Sequence, residues 1–301
     1  MIDNRYRGIP GALKHFLQER YPYLYVRGVM PLLFAIADRM RAPVTRRIVE
    51  TLMEIRPFPL FHHIEIETIN RCNAACSFCP VSRGHDERTY RLMDQELFVS
   101  IVGQLKELAY CGSVGLFSNN EPLLDKRIVD FARLAKESLP GAHIFLMTNG
   151  LLLTTDLLDS LMPHLDELHI DNYDDRLMLT EPAEKIRAYC VERDSYRDKV
   201  RISLRKNTEV LTSKGGQAPN KRRSPIPIRS SCLLPFKQLV VRPDGKISLC
   251  CNDAYGKTTM GDLTKDRIVD AWNGEAFWTA RRLLARGRRN IPICAGCDSA
   301  L

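Results

Sequence analysis

The sequence predicts an α/β protein: a parallel sheet curled into a partial (β/α)6 TIM-like barrel, with a helical extension before it and a small cysteine-bearing unit after it. Three observations carry this expectation. From His63 onward, short β-branched runs alternate with segments of helical periodicity, the pattern of repeated βα units. The unusual polar motifs follow directly on those runs, where parallel barrels place their chemistry. Beyond a Gly- and Pro-rich break, a Pro-Asp-Gly turn and clustered cysteines mark a different architecture.

Residues 1–58 read as helical, because Leu13, Phe16 and Leu17, then Leu32, Leu33, Ile36 and Met40, recur at helical spacing. Packing on the main domain is the expected role of this extension. Residues 59–225 form the barrel. Strands are expected at Ile64–Ile69, Ser113–Phe117, Ala142–Met147, Glu167–Ile170 and Val200–Leu204, with helices at Gln95–Leu108, Arg127–Ser138, Asp156–Met162 and Ala183–Glu192. The stretch Leu211–Ser230 holds Gly215-Gly216, three prolines and Lys221–Arg223, a long loop of the kind that is either functional or disordered. Residues 226–301 form the last unit, in which Leu239–Val241 and Lys246–Leu249 flank the turn Pro243-Asp244-Gly245.

The 301 residues suffice for one large core, and an apolar fraction of 45% with 27% charged residues is ordinary for a soluble protein. Met1–Pro10 is polar and lacks the apolar stretch of a secretory leader. The most apolar run, Val29–Ala37, is too short to cross a bilayer, so no transmembrane segment and a cytoplasmic location are expected. The net charge of +8 is spread out, with local runs at Lys221–Arg223 and Arg281–Arg289. No basic motif is interleaved with aromatics, so solvated faces are expected rather than a nucleic-acid partner.

Ten cysteines are many for a reducing compartment, where disulfides are rare. Cys111 and Cys190 stand alone, as packing residues do, while the others cluster at 72/76/79, 232, 250/251 and 294/297. Cys72-x3-Cys76-x2-Cys79 follows the first barrel strand. Three cysteines leave one iron of a four-iron cluster without a protein ligand, open to a substrate, whereas ferredoxin-type sites use a fourth cysteine. The alternative, zinc, pairs two short hooks, and no second hook lies nearby.

The residues Cys72-Asn-Ala-Ala-Cys76-Ser-Phe78-Cys79 match the signature of the radical S-adenosylmethionine (SAM) superfamily, which the chain resembles. The resemblance implies that Cys72, Cys76 and Cys79 hold a [4Fe–4S] cluster whose open iron chelates SAM, and that Phe78 packs near the adenine. Ser118-Asn119-Asn120-Glu121-Pro122 is similar to the family's GGEP motif, with Asn119 and Asn120 in place of glycines. It implies Asn120 and Glu121 as SAM contacts, Glu121 as a charge-assisted partner of the amino group. Asn149, in Thr148-Asn149-Gly150, and Ser203 and Arg205 complete the SAM set that the family implies. Arg205 suits the carboxylate through its bidentate fork.

In the last unit, Cys232-x12-Gly245-x4-Cys250 with a distal Cys294-x2-Cys297 is similar to the twitch form of the SPASM extension. That likeness implies a second, auxiliary [4Fe–4S] cluster on Cys232, Cys250, Cys294 and Cys297. Taken alone, the four thiols suit a structural zinc ribbon equally well. Cys251 is left over. Successive strand residues face opposite ways, so with Cys250 on the cluster Cys251 turns toward the barrel mouth. A small buried residue, or Cys251 itself as the ligand, are the alternatives.

An S–H bond is weaker than an unactivated C–H bond. A thiol placed opposite a hydrogen-abstracting 5′-deoxyadenosyl radical therefore returns hydrogen to the other face and inverts one stereocentre. The chain accordingly resembles radical SAM enzymes of aminoglycoside pathways, closest in type to the neomycin epimerase, with Cys251 as the catalytic thiol. The alternative is the aminocyclitol alcohol dehydrogenase type, in which the auxiliary cluster accepts an electron and the product is a ketone. A carbohydrate-like small molecule is the expected substrate, and an external flavodoxin- or ferredoxin-type electron donor is implied. Glu167, Asp171, Asp174 and Asp253 are expected to form an acidic mouth for a polycationic substrate, or else to cap turns. An anionic substrate would instead use Lys206, Lys214 and Lys221–Arg223. An electron carrier or zinc-binding interaction protein is the non-enzymatic reading.

Overall fold

The structure is a computed structural model that describes residues 2–4, 20, 30–221 and 228–299. The elements relevant here are β1 (Ile2–Asn4), α1 (Met30–Glu54), β2 (His63–Ile66), α2 (Gln95–Glu107), β3 (Ser113–Gly115) and α3 (Ile128–Ser138). Then follow β4 (His143–Thr148), α4 (Thr155–Leu161), β5 (Glu167–Tyr173), α5 (Glu181–Val191), β6 (Val200–Arg205), β7 (Gln238–Val241), β8 (Lys246–Ser248), β9 (Gly261–Asp262), α6 (Ile268–Asn273) and α7 (Glu275–Ala285). All nine strands share one sheet in the order β1-β6-β5-β4-β3-β2-β7-β8-β9. The pairs from β1 through β7 are parallel, while β7–β8 and β8–β9 are antiparallel. The mostly parallel α/β sheet of a partial barrel is therefore present.

Each barrel strand alternates between two faces, as the period of two requires. Ile64, Ile66, Val114, Ile144, Leu146, Leu168, Ile170, Val200 and Ile202 are buried in the core with Phe98, Ile101 and Phe131 of the helices. Burying each such side chain is worth about 1.5–3 kcal/mol. The intervening residues His63, Glu65, Phe145, His169, Asp171, Ser203 and Arg205 meet one another across the strands on the inner face.

Four local expectations change. Ile2–Asn4, expected as helix, is a strand that pairs with Ile202–Leu204 of the sheet edge. Three extended residues give no helical or strand periodicity to read. Leu13, Phe16 and Leu17 lie outside the described residues. α1 is helical as expected, yet Leu32, Leu33, Ile36 and Met40 are exposed. The helix docks through another face: the Asp38 carboxylate accepts the N–H groups of Arg229 at 2.6 Å and Ser230 at 3.0 Å, Thr45 accepts that of Ser231 at 3.1 Å, and Val49 enters the core. The basic run at Arg281–Arg289 is not simply a solvated face. Arg281 is fully buried, its guanidinium 3.9 Å from the centroid of Phe58 and 4.1 Å from that of Trp272, donating to the carbonyls of Pro235 and Trp272. Desolvated cation–π contacts of this kind contribute about 2 kcal/mol. Arg288, also buried, ties Ser230 to Ser299 on either side of the cysteine unit.

The loop after β6 is ordered through residue 221 and docks on the chain's last turn, whereas Arg222 and Arg223 lie outside the described residues. Ser213 donates its N–H to Asp298 Oδ1 at 2.6 Å and its hydroxyl to the Gly296 carbonyl at 3.0 Å, and Lys221 pairs with Asp298. Gly215 has φ +62, and a Cβ there would sit 2.4 Å from Ile293 Cγ1, so only glycine permits this approach. No helix among the described residues is long and apolar enough to cross a membrane.

Candidate active site

Past the C-terminal ends of the parallel strands lies a cavity of about 260 Å³. The loop after β2 brings Cys72, Cys76, Phe78 and Cys79 to its wall, the loop after β3 brings Ser118–Glu121, and β4 to β6 bring Thr148, Asn149, Asp171, Tyr173 and Arg205. Arg88 fixes the first two loops together: it donates to Glu67 at 2.8 Å, Asp86 at 3.0 Å and the carbonyls of Asn70 and Asn119 at 3.0 and 2.8 Å. Tyr255 of the last unit donates its hydroxyl to the Pro80 carbonyl at 3.1 Å.

Burial pushes the Cys72 thiol up to about 11 and Cys76 to about 12, each raised further by other groups nearby, Cys79 prominent among them. Thiols packed this way stay protonated until a cationic centre displaces their protons. Glu121, fully buried, accepts from the Leu123 N–H at 3.0 Å, Thr148 Oγ1 at 2.7 Å and the Asn149 N–H at 2.7 Å. It thus organises the loops on either side of the cavity, and burial raises its carboxyl. Asn149 Nδ2 donates to Asn73 at 2.8 Å beside Cys72. Asn120 Oδ1 accepts the Ser118 N–H at 2.9 Å. Phe78 packs on Tyr173 with ring centroids 5.7 Å apart. Arg205 sits between Asp171 at 3.4 Å and Glu209 at 3.0 Å.

Asn120 Nδ2, Asp171 Oδ1 and Arg205 Nε are buried without a hydrogen-bond partner in the structure. Buried polar atoms are ordinarily satisfied, so these three, all on cavity-lining residues, form an unmatched donor–acceptor set. A zwitterionic ligand with an adenine face fits it: the Arg205 guanidinium and the Asn120 amide N–H as donors for a carboxylate, Asp171 Oδ1 as acceptor for an ammonium, and Phe78 for a ring.

Other expected residues lie elsewhere. Ser203 is buried below the cavity and bonds His169 Nε2 at 2.8 Å. Glu167 opens β5 rather than closing it, at the opposite end of the barrel, where Arg201 lies at 3.2 Å. The strand runs on to Tyr173, so Asp171 alone of the four acids reaches the cavity. Asp174 binds Arg176 in a surface turn. Asp253 is buried and used up by the N–H groups of Lys257 and Thr258, the Thr258 hydroxyl and Gln217. Sequence reasoning left Thr148 and Tyr173 out of the site, although Tyr173 continues the alternation that includes Asp171.

In the last unit Cys232, Cys250, Cys294 and Cys297 are buried and close together: Cys232 raises the thiols of the other three, and Cys297 those of Cys250 and Cys294. Cys250 and Cys251 lie past the end of β8, in a bend and a turn, and the Cys251 thiol is close enough to Cys250 and Cys232 for their charges to couple. Burial and then Glu65 push the Cys251 thiol up to about 12, Lys214 and Gln238 opposing. Its carbonyl accepts from Asn119 Nδ2 at 3.1 Å and Lys214 Nζ at 3.5 Å. Lys214 lines the cavity, linking the β6 loop to both halves of the site.

A family model described as the radical SAM superfamily matches residues 66–202, and one described as an iron–sulfur cluster-binding domain (SPASM) matches residues 232–298. The S-adenosyl-L-methionine-dependent 2-deoxy-scyllo-inosamine dehydrogenase of Niallia circulans is 30% identical over 249 residues, spanning 80% of this chain and 94% of that protein. The crystal structure of BtrN in complex with AdoMet and 2-DOIA superposes with a TM-score of 0.69 at 26% identity, again over 80% and 94% of the two chains. BtrN in an open conformation gives 0.59 at the same identity and coverage. The structure of anSMEcpe with bound AdoMet shares the fold, at 14% identity and a TM-score of 0.51 over 79% of this chain and 86% of that one. The dehydrogenase relative overturns the expectation of an epimerase, and with it the role of Cys251 as hydrogen donor. Cys250 and Cys251 both lie beyond the end of β8, so the expected strand alternation does not set which way either side chain points. The two domains imply SAM and two [4Fe–4S] clusters, matching the unmatched cavity atoms and the two thiol sets. The chain belongs to the radical SAM superfamily, with a C-terminal SPASM-type iron–sulfur domain.

Proposed function

We propose that this chain is a radical SAM dehydrogenase that oxidises a secondary hydroxyl of an aminocyclitol to a ketone. The observation that carries the reading is its 30% identity to a 2-deoxy-scyllo-inosamine dehydrogenase across 94% of that protein. In this assignment Cys72, Cys76 and Cys79 hold the cluster that binds SAM, and Cys232, Cys250, Cys294 and Cys297 hold the second. When bound, SAM and the first cluster supply the agent that removes the carbinol hydrogen, and the second cluster accepts the remaining electron. An external donor of flavodoxin or ferredoxin type restores the first.

The chain's own residues orient the reactants. Phe78 and Tyr173 wall the adenine side, Arg205 takes the carboxylate of SAM, and Asn120 and Asn149 contact its amino acid end. Glu121 holds their loops in place, and Ser203 is a positioning residue through His169. Asp171 provides the carboxylate at the cavity. Arg205→Lys, which loses the planar fork, is expected to weaken SAM binding about tenfold, as read by equilibrium dialysis of the reconstituted protein. The function is tested by anaerobic turnover with 2-deoxy-scyllo-inosamine and a chemical reductant. Ketone and 5′-deoxyadenosine should appear in equal amounts, with no deuterium entering carbon from heavy water. An inverted, deuterium-labelled product with no ketone would refute the reading.

A further inference from the structure

Oxidising an alcohol to a ketone removes a hydrogen atom, an electron and a proton. Abstraction at carbon takes the first and the second cluster takes the second, so the hydroxyl proton must leave through the protein. The titratable groups at the cavity are poorly suited to receive it. Asp171 is paired through Oδ2 with Arg205 and its free Oδ1 belongs to the set assigned to the SAM zwitterion, Glu121 already accepts three hydrogen bonds, and Lys214 Nζ is engaged as a donor to Asn119 and the Cys251 carbonyl.

Ser118 borders the same cavity, and its hydroxyl donates to Glu65 Oε2 at 2.6 Å. Ser118 Oγ accepts only from Asn119 Nδ2, at 3.3 Å, which leaves a lone pair for a substrate hydroxyl. Glu65 is buried on the inner face of β2, its Oε1 held by Gln238 Nε2 at 2.7 Å and lying 3.2 Å from His63 Nε2. His63 is the first residue of β2, at the end of the barrel away from the cavity, with its side chain 26% exposed. At about 3.3 Å per residue the strand carries Glu65 roughly 7 Å inward from that rim. The rim holds the exposed side chains of His143 and Arg201, with Glu167 between them. The other titratable groups facing Glu65 are Glu67 and Cys251.

Resting on the dehydrogenase reading, we propose that Ser118, Glu65 and His63 form the proton exit of the reaction, running through the barrel to its far rim. The substrate hydroxyl gives its proton to Ser118 Oγ as Ser118 passes its own to Glu65 Oε2. A half-turn of the Glu65 carboxyl hands that proton to His63 Nε2, and His63 releases one from Nδ1 to water. The substrate O–H bond is broken and one proton reaches solvent; Ser118 and Glu65 regain their starting state, and His63, left as the Nε2–H tautomer, regains the Nδ1–H form by proton exchange with water at its part-exposed ring. SAM and substrate can then fill the cavity mouth without trapping the proton.

The test uses the two-cluster enzyme with 2-deoxy-scyllo-inosamine, comparing wild type with Glu65→Gln and His63→Ala. Each variant should bind SAM as wild type does and still form 5′-deoxyadenosine, but ketone formation should fall about a hundredfold. The carbon-centred substrate radical should accumulate in freeze-quench electron paramagnetic resonance spectra. Added imidazole should restore ketone formation in His63→Ala and not in Glu65→Gln. Independently of turnover, the 15N resonances of His63 in the oxidised, substrate-free enzyme should shift on Glu65→Gln. Should Glu65→Gln fail to load its clusters, His63→Ala at the rim still decides. Wild type that cleaves SAM without making ketone refutes the dehydrogenase reading. Wild type that makes ketone at a rate, and with a solvent isotope effect, unmoved by His63→Ala or Glu65→Gln refutes the relay alone.

Discussion

Replacing Cys76 with alanine is expected to abolish SAM cleavage while leaving about four irons per chain, held by the last unit, against about eight in wild type. Cys76 is buried beside Phe78, and its thiol faces Asn207 at 3.8 Å across the mouth of the barrel. Alanine leaves two thiols, too few to retain a cluster whose fourth position must stay open. The fold should survive, because the loop is anchored independently by Arg88 and by Ser77, which bonds Asn207 through both its N–H and its hydroxyl. Iron analysis together with chromatography for 5′-deoxyadenosine checks the result. Full SAM cleavage by Cys76→Ala would remove the triad from its assigned role.

That Cys72, Cys76 and Cys79 come together at one cavity wall was legible in the sequence, because their spacing on one short loop is a local property. The barrel was legible for a similar reason: runs such as Ile64–Ile66 and Ile144–Leu146 bury alternate residues against helices, and burial selects β-branched and aliphatic side chains. The end of β5 was not. Asp171, Asn172 and Tyr173 continue the strand, but Asp and Asn are depleted in strands, so the expected boundary fell at Ile170 and Glu167 was misplaced to the cavity side. Had the alternation been carried three residues further, Asp171 and Tyr173 would have fallen on one face with His169. Lys214 gave no such signal. Its place beside Cys251 depends on Gly215 packing against Ile293, a contact between segments far apart in sequence.

The same long-range geometry joins the two halves of the enzyme. β7 pairs in parallel with β2, His63 opposite Gln238 and Ile66 opposite Val241, so the cysteine unit extends the barrel sheet. One strand pair thereby sets the position of Cys250 relative to Glu65 and the cavity. In the proposed dehydrogenase, electron transfer from substrate to the second cluster needs just such a fixed separation, and a flexibly tethered unit would not supply it.

Cys250→Ala and Cys251→Ala are neighbours in sequence and are expected to differ completely. Cys250 is buried with Cys232 and Cys297, and burial raises its thiol well above the ordinary range, with Cys251 and Cys232 adding to the shift. Removing it should cost about four irons per chain and abolish ketone formation while SAM cleavage continues, so that 5′-deoxyadenosine accumulates without matching product. Cys251 donates its N–H to Gln238 Oε1 at 3.3 Å, and its thiol senses Glu65 and Lys214 of the barrel side as well as Cys232. Cys251→Ala should keep about eight irons and most of the ketone yield, because an oxidation needs no hydrogen returned to carbon. Iron content, the ratio of 5′-deoxyadenosine to ketone and the spectrum of the reduced second cluster separate the cases. If Cys251→Ala instead lost the second cluster and Cys250→Ala kept it, the ligand assignment would be reversed.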